Sequence, residues 1–375
     1  TPPPFNHPAR VAERIATLDL LSNGRVDFGT GESSSEAELG GFMVDPELKR
    51  EMWDEGLRVA IRCLTETPFT GHSGKYVTMP PRNVVPKPRQ KPHPPLWVAC
   101  SRRDTILLAA QRGIGALAFA FIDPEEARQW VDDYYTTLAR EGVPMGDAVN
   151  ANMACVTTFM CHENEDVALE RGLEGANFFG YSLAHYYVFG RHAPAKTDVW
   201  REYQDRRAEH GFSPEAVQAA GSNNDRLGAK IVQDESAGLR GAVGTPDQVR
   251  DYLRRHEECG VDQVIFTSQA GKNQHEHIME SLELFGRDVL PEFKDRDEKH
   301  QRDKEKRLAR VIDEVMARKP AEDHPPLPSP DYSFPAIPRA LADRFGSDEF
   351  HKMLDDFADQ AVEGTSQLDQ LLRGG

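Results

Sequence analysis

The sequence predicts an α/β protein built on parallel strands, and three observations carry that prediction. Short continuous apolar runs recur, as in Leu96-Trp97-Val98-Ala99 and Gly115 to Phe121, which is how strands covered on both faces read. Segments with apolar residues at helical spacing lie between them. The order helix, tight turn, strand and small-residue loop over Asn6 to Ser33 then returns along the chain, as in βα units.

In that first unit Asn6 is the expected N-cap, and Pro8 sits in the first turn, where a missing N–H costs nothing. Val11, Ile15 and Leu18 make an apolar stripe, with Ala12 and Ala16 as small partners. Gly24 suits the left-handed conformation that ends helices, and Val26 and Phe28 alternate as in a short strand. The strand closes at Gly29-Thr30-Gly31. Two glycines at a strand's carboxyl end let a ligand approach the backbone, because no Cβ intervenes, although a plain turn uses glycines as well. The third glycine of a dinucleotide fingerprint is absent, since Ser34 stands in its place.

Pro46 is expected to open a helix toward Leu64 that turns Trp53, Leu57, Ile61 and Leu64 inward. Arg50 on that helix reads either as a surface arginine or as a phosphate contact. Residues 68 to 95 are proline-rich, with one short hairpin strand at Tyr76 to Met79, and lead into the strand at Leu96. Ala99 and Cys100 close it. Ser101 either caps the following helix or contributes to an anion site at its start.

Helices over Arg102 to Arg112 and from Pro124 flank the strand at Gly115, and another strand follows at Asn152 to Met160. The cluster Cys161 to Asp166 matches neither calcium nor zinc spacing and reads as acidic entry to a helix, so no metal is expected. Asn177 to Val243 is the longest departure from the repeat. Its aromatics, Phe178 to Phe189, either shape an apolar pocket over the strand ends, with His185 or His192 as polar groups, or pack a core or interface. A helix from Thr245-Pro246, a strand over Val261 to Thr267 and a closing helix with Ile278, Leu282, Phe285 and Leu290 complete the repeat.

The net charge of −16 repels phosphate backbones, so nucleic acid is excluded as a general partner. No stretch of eighteen apolar residues occurs, and Thr1 to Pro4 lack the pattern of a signal peptide. The expectation is therefore a cytoplasmic protein with no membrane partner. Five scattered cysteines with no Cys-x-x-Cys pair are expected as buried, reduced thiols.

One run of residues carries a family resemblance. His7-Pro8, Ala12-Glu13-Arg14, Leu18-Asp19, Leu21-Ser22, Gly24-Arg25 and Phe28 to Gly31 fall in the order found in the luciferase-like monooxygenases, the flavin-dependent family of bacterial luciferase. Gln90 to Ala99 and the stretch from His275 to Phe293 resemble that family too, so the likeness spans about residue 7 to Phe293. It implies a (β/α)₈ TIM barrel of which this sequence holds the last five βα units, the first three being absent. The family's catalytic histidine belongs to one of those units, so no catalytic residue is assigned.

The resemblance further implies reduced FMN from a separate reductase, O₂ and an apolar small-molecule substrate, with the deazaflavin F420 and hydride transfer as the alternative. A non-catalytic flavin-binding scaffold is the reading from a different class. Cofactor contacts are expected at Gly29, Thr30, Gly31, Ala99, Cys100 and Ser101, with Arg50, Arg102 or Arg103 for the phosphate. Bacterial luciferase carries an arginine where Glu32 stands here. A homo-oligomer is expected. Residues 1–293 form the barrel domain in this reading, and 294–375 a charged, Pro-rich, helical extension that leaves it.

Overall fold

The computed structural model describes residues 2–118, 124–209, 240–321 and 324–334, with scattered positions between 352 and 360. Its helices are α1 (Pro8–Leu21), α2 (Glu36–Leu39), α3 (Lys49–Thr65), α4 (Arg103–Gln111), α5 (Pro124–Glu141), α6 (Glu165–Ala184), α7 (Val199–Glu209), α8 (Pro246–Glu258), α9 (His275–Asp288) and α10 (Leu290–Ala317). The strands are β1 (Phe28–Thr30), β2 (His72–Ser73), β3 (Thr78–Met79), β4 (Leu96–Cys100), β5 (Gly115–Ala118), β6 (Met153–Cys161), β7 (Ala242–Gly244) and β8 (Gln263–Thr267).

One parallel sheet runs β1-β4-β5-β6. Residues 154–158 of β6 then pair with β8, and residues 159–161 with β7. The hairpin β2–β3 stands apart. The five strands expected from the sequence are therefore present, and β7 is a short addition to them. This is an α/β half-barrel, with β1 and β8 each paired on one side only among the described residues.

Side-chain alternation sorts the two faces. Phe28, Val98, Ala116, Met153 and Cys155 lie in the core beneath the helices, together with Trp53, Ile106 and Tyr134. On the opposite face Gly29, Ala99, Gln263 and Ile265 are exposed. Burying those large side chains against the sheet is the main stabilising term for such a layer, at about 1.5–3 kcal/mol each.

Local chemistry moved several boundaries. His7, not Asn6, caps α1, its ring accepting from Ala9 N at 3.3 Å, while the Asn6 side chain accepts from Arg14 at 3.0 Å. Ala9, Ala12 and Ala16 are buried in the core and Val11 and Ile15 pack against it, whereas Leu18 stays 54% exposed, so the stripe holds except at Leu18. Gly24 does end the helix in the left-handed region, at φ 82°. The short α2 lies in a loop where no helix was expected, and α3 begins at Lys49, three residues after Pro46. All five cysteines are buried and free. Burial pushes the thiols of Cys63 and Cys155 up to about 12, which removes them as nucleophiles at neutral pH.

The charged run expected to leave the barrel at Lys294 instead continues one helix, α10, which packs against α5 and α9. Val315 and Leu308 are buried there. Lys304 Nζ meets Asp262 Oδ1 at 2.6 Å, and Asp262 Oδ2 accepts from Tyr135 and from Met153 N, both at 2.7 Å. Charge density alone does not show that one face of such a helix is sequestered. Between Phe350 and Ala361, Phe350, His351, Leu354, Ala358 and Ala361 lie outside the described residues, and Met353 and Phe357 are exposed.

A second set of ion pairs joins α10 to α8. Glu292 receives Arg254 at 2.8 Å and Arg250 at 3.1 Å from α8 and Arg296 at 2.8 Å within α10, and Arg296 crosses to Glu257 at 2.5 Å. Hydrogen bonds from Arg254 and Arg296 hold its carboxyl down at about 2. A carboxylate depressed in the folded state stabilises above its ordinary pKa, and that contribution is lost as pH falls through the folded value. Acidification from about 4.5 toward about 2 is therefore expected to loosen the α8–α10 junction before the sheet. Hydrogen exchange resolved by segment checks this, and the Glu292→Gln protein should show the loosened junction already at pH 7.

Candidate active site

The glycine-bearing strand is fixed from its buried side. Thr30 turns its side chain toward the helices, donates to the Trp97 carbonyl at 2.8 Å and accepts from the Trp53 indole at 3.2 Å. One threonine thus ties β1 to β4 and to α3. Trp97 adds a 2.8 Å bond from its indole to Asp27. Gly29 and Gly31 therefore face the opposite side, at the carboxyl end of β1.

Nothing within the described chain requires glycine at those two positions. Neither has a positive φ. A Cβ on Gly29 would meet nothing within 4 Å, and one on Gly31 would meet only the Ala99 Cβ at 3.9 Å. Gly115 is the contrast, because a Cβ there would strike the Trp97 ring at 2.4 Å. The result is a bare ledge formed by Gly29, Gly31 and exposed Ala99, open to a flat group that needs close contact with backbone. That cradle fits a flavin ring or its ribityl chain.

The register pairs Thr30 with Val98, which sets Gly31 beside Ala99 and Ser101 two residues further on. Ser101 is exposed and does not cap α4; the N-cap is Arg102, with no side-chain cap bond. Cys100 points its sulfur into the core, donating to Val98 O at 3.3 Å. Only the backbones of Thr30 and Cys100 are thus available at the ledge.

Beyond Gly31 the chain forms a tight loop. Ser33 is at φ 62°, an uncommon conformation for a residue with a Cβ, of the kind that concentrates at functional sites. Its hydroxyl bonds Glu38, and its carbonyl accepts from Lys49 Nζ at 2.6 Å. Arg50 is engaged bidentately by Glu32, at 2.9 and 3.3 Å, with Asp104 at 3.7 Å. Arg102 reaches Asp104 at 3.3 Å, and Arg103 reaches Asp133 at 2.5 Å. Burial lowers the Lys49 pKa; Glu32 opposes this, and the charges of Arg102 and Arg50 add to it. Lys49 was not among the sequence candidates, although two adjacent cations opening a helix were a readable signal.

The long excursion folds back toward this loop. α6 runs into a π-helical turn, His185–Phe189, which packs against α2. Burial, and then the charge of Glu38, raises the pKa of Tyr187 on that turn. Behind it Phe178 meets Trp200 edge-on at 4.7 Å, with Tyr181 and Tyr203 buried. His185 sits inside this cluster, 3.3 Å from Glu202, whereas His192 is exposed and stacks on Tyr186 at 4.6 Å. Residues 210–239 of the excursion lie outside the described residues. A separate cleft of about 220 Å³ between β7 and α8 is lined by Arg240, Gln248 and Tyr252 among others. There Arg240 is paired with Glu165 at 2.6 Å.

The ledge, loop and turn at the carboxyl ends of parallel strands match the usual location of sites in α/β barrels. Known proteins place the chain in a family. The alkanal monooxygenase alpha chain of Photobacterium leiognathi is 26% identical over 297 residues, covering 78% of this chain and 77% of its own. The oxygenase component of a flavin-dependent trigonelline monooxygenase from Acinetobacter baylyi is 23% identical over 296 residues, 77% of this chain and 74% of its own. Among solved structures, the coenzyme F420-dependent tetrahydromethanopterin reductase of Methanopyrus kandleri superposes with a TM-score of 0.52. It shows the same fold at 22% identity, over 78% of this chain and 81% of its own. The family model for luciferase-like monooxygenases matches residues 1–263, and the chain belongs to that family.

Proposed function

We propose that this protein takes reduced FMN from a separate reductase and, with O₂, oxygenates an apolar small molecule. The observation that carries the reading is the pair Gly29 and Gly31, kept bare where neither backbone conformation nor packing asks for glycine. The named activities of the relatives, a flavin-dependent oxygenase component among them, support the same reading.

Bound reduced flavin would supply two electrons, so that one oxygen atom of O₂ enters the substrate and the other leaves as water. The chain's own share is orientation and exclusion of water. The Gly29–Gly31 ledge would receive the ring or ribityl chain, Ser101 would hydrogen-bond it from the neighbouring strand, and the aromatic turn at Tyr186 and Tyr187 would shelter the substrate side.

A second reading keeps the ledge and changes the cofactor to F420, with hydride transfer in place of oxygenation; the fold shared with an F420-dependent reductase supports it. Anaerobic titration of the protein with reduced FMN and with F420 separates the two. Saturable binding of FMN is the expected result, and binding of F420 alone would overturn the FMN assignment.

A further inference from the structure

Lys49 and Arg50 open α3, and Arg102 and Arg103 stand at the N-cap and first residue of α4. A helix N-terminus already carries partial positive charge, so cations there oppose the macrodipole where carboxylates would complement it. Neither helix has a side-chain cap bond, and each carries a single carboxylate in its first turn, Glu51 and Asp104, against two cations. Such a break with local preference, repeated on two neighbouring helices, marks a functional demand.

The carboxylates in reach are already assigned. Glu32 holds Arg50 bidentately, Asp104 lies 3.3 Å from Arg102 and 3.7 Å from Arg50, and Asp133 holds Arg103. Lys49 remains. Its ammonium donates to a neutral carbonyl, Ser33 O, at 2.6 Å, and among the described residues it forms no ion pair. Burial and the charges of Arg102 and Arg50 work against its charge, while Glu32 and Asp104 favour it only at a distance. An ammonium has three donors, so Lys49 keeps two for a partner. The carbonyl that holds it belongs to Ser33, two residues beyond the ledge and fixed in a left-handed conformation.

We infer that Lys49 is the anion anchor of this mouth and binds the terminal phosphate of the cofactor. The identity of that ligand rests on the flavin reading above; the need for an anion does not. Arg50 is not the anchor, because Glu32 engages its guanidinium face. It buffers the carboxylate that would otherwise repel a phosphate.

The test compares native protein with Lys49→Gln, using FMN and riboflavin, which differ only in the phosphate. Native protein should prefer FMN. In Lys49→Gln that preference should fall by about tenfold or more, as expected for a charge-assisted hydrogen bond, with riboflavin affinity unchanged. The thermal midpoint should stay level or rise, because a cation is removed from a helix N-terminus, whereas a purely structural lysine would lower it. An unchanged ratio of FMN to riboflavin affinity in Lys49→Gln overturns the role of Lys49 and leaves the flavin reading standing. Binding of neither flavin nor F420 by native protein overturns the flavin reading, and inorganic phosphate then decides Lys49 by itself. Phosphate that raises the midpoint of native protein but not of Lys49→Gln upholds the anchor; an equal effect on both, or none, removes it.

Discussion

Gly31→Val is expected to leave the protein folded and to weaken flavin binding by roughly 5- to 150-fold, the equivalent of about 1–3 kcal/mol of overpacking. The first half of that expectation comes from the chain alone. Gly31 has no positive φ, and its nearest neighbour in the direction of a side chain is the Ala99 Cβ at 3.9 Å. A branched side chain therefore has room in the absence of ligand. The second half comes from the ligand, which would have to occupy the same space. Flavin titration beside a thermal melt separates the two effects. A variant that binds FMN as tightly as native protein would reduce Gly29 and Gly31 to turn formers.

Asp262→Ala is expected to cost about 3–5 kcal/mol of stability, the range for breaking a buried ion pair by removing one partner. Asp262 and Lys304 have side chains only 10% and 14% exposed. Removing the carboxylate takes the acceptor of the Met153 N–H and leaves the Lys304 ammonium only Asn152 and the Tyr135 hydroxyl only Ala151 O. Burial already outweighs the Asp262 charge in lowering the Lys304 pKa, and losing the carboxylate lowers it further. The double variant Asp262→Ala/Lys304→Met should recover part of the loss, since the uncompensated charge goes with it. Urea denaturation measures both. A single-variant loss below about 1 kcal/mol, the usual value of a surface pair, would show that α10 lies free of the sheet.

The strands and most helices were legible because their signals are local. Leu96 to Cys100 is a run of apolar residues at strand length, and Thr245-Pro246 opens α8 with a capping box formed with Gln248. The glycine signal at Gly24 held too, in the left-handed region. What sequence could not reveal depends on partners distant along the chain. Arg50 was a fair phosphate candidate until Glu32, 18 residues earlier, was found on its guanidinium. Lys49 was passed over because its significance lies in the carboxylates that its neighbours have already taken. Charge density in α10 read as solvated extension, since the ion pairs of Lys304, Glu292 and Arg296 join residues 38 to 42 positions apart. The thiol of Cys100 and the hydroxyl of Thr30 sit on the covered face of their strands, which pleat alternation sets once Gly31 and Ala99 are assigned to the open face.

A crystal structure of the protein with FMN bound tests the central claim most directly. The flavin ring or ribityl chain should lie in van der Waals contact, within about 4–4.5 Å, of the Gly29 and Gly31 backbone, with its phosphate turned toward Lys49. Flavin density elsewhere, for instance in the cleft between β7 and α8 beside Arg240 and Tyr252, with the glycine ledge bare, would contradict it.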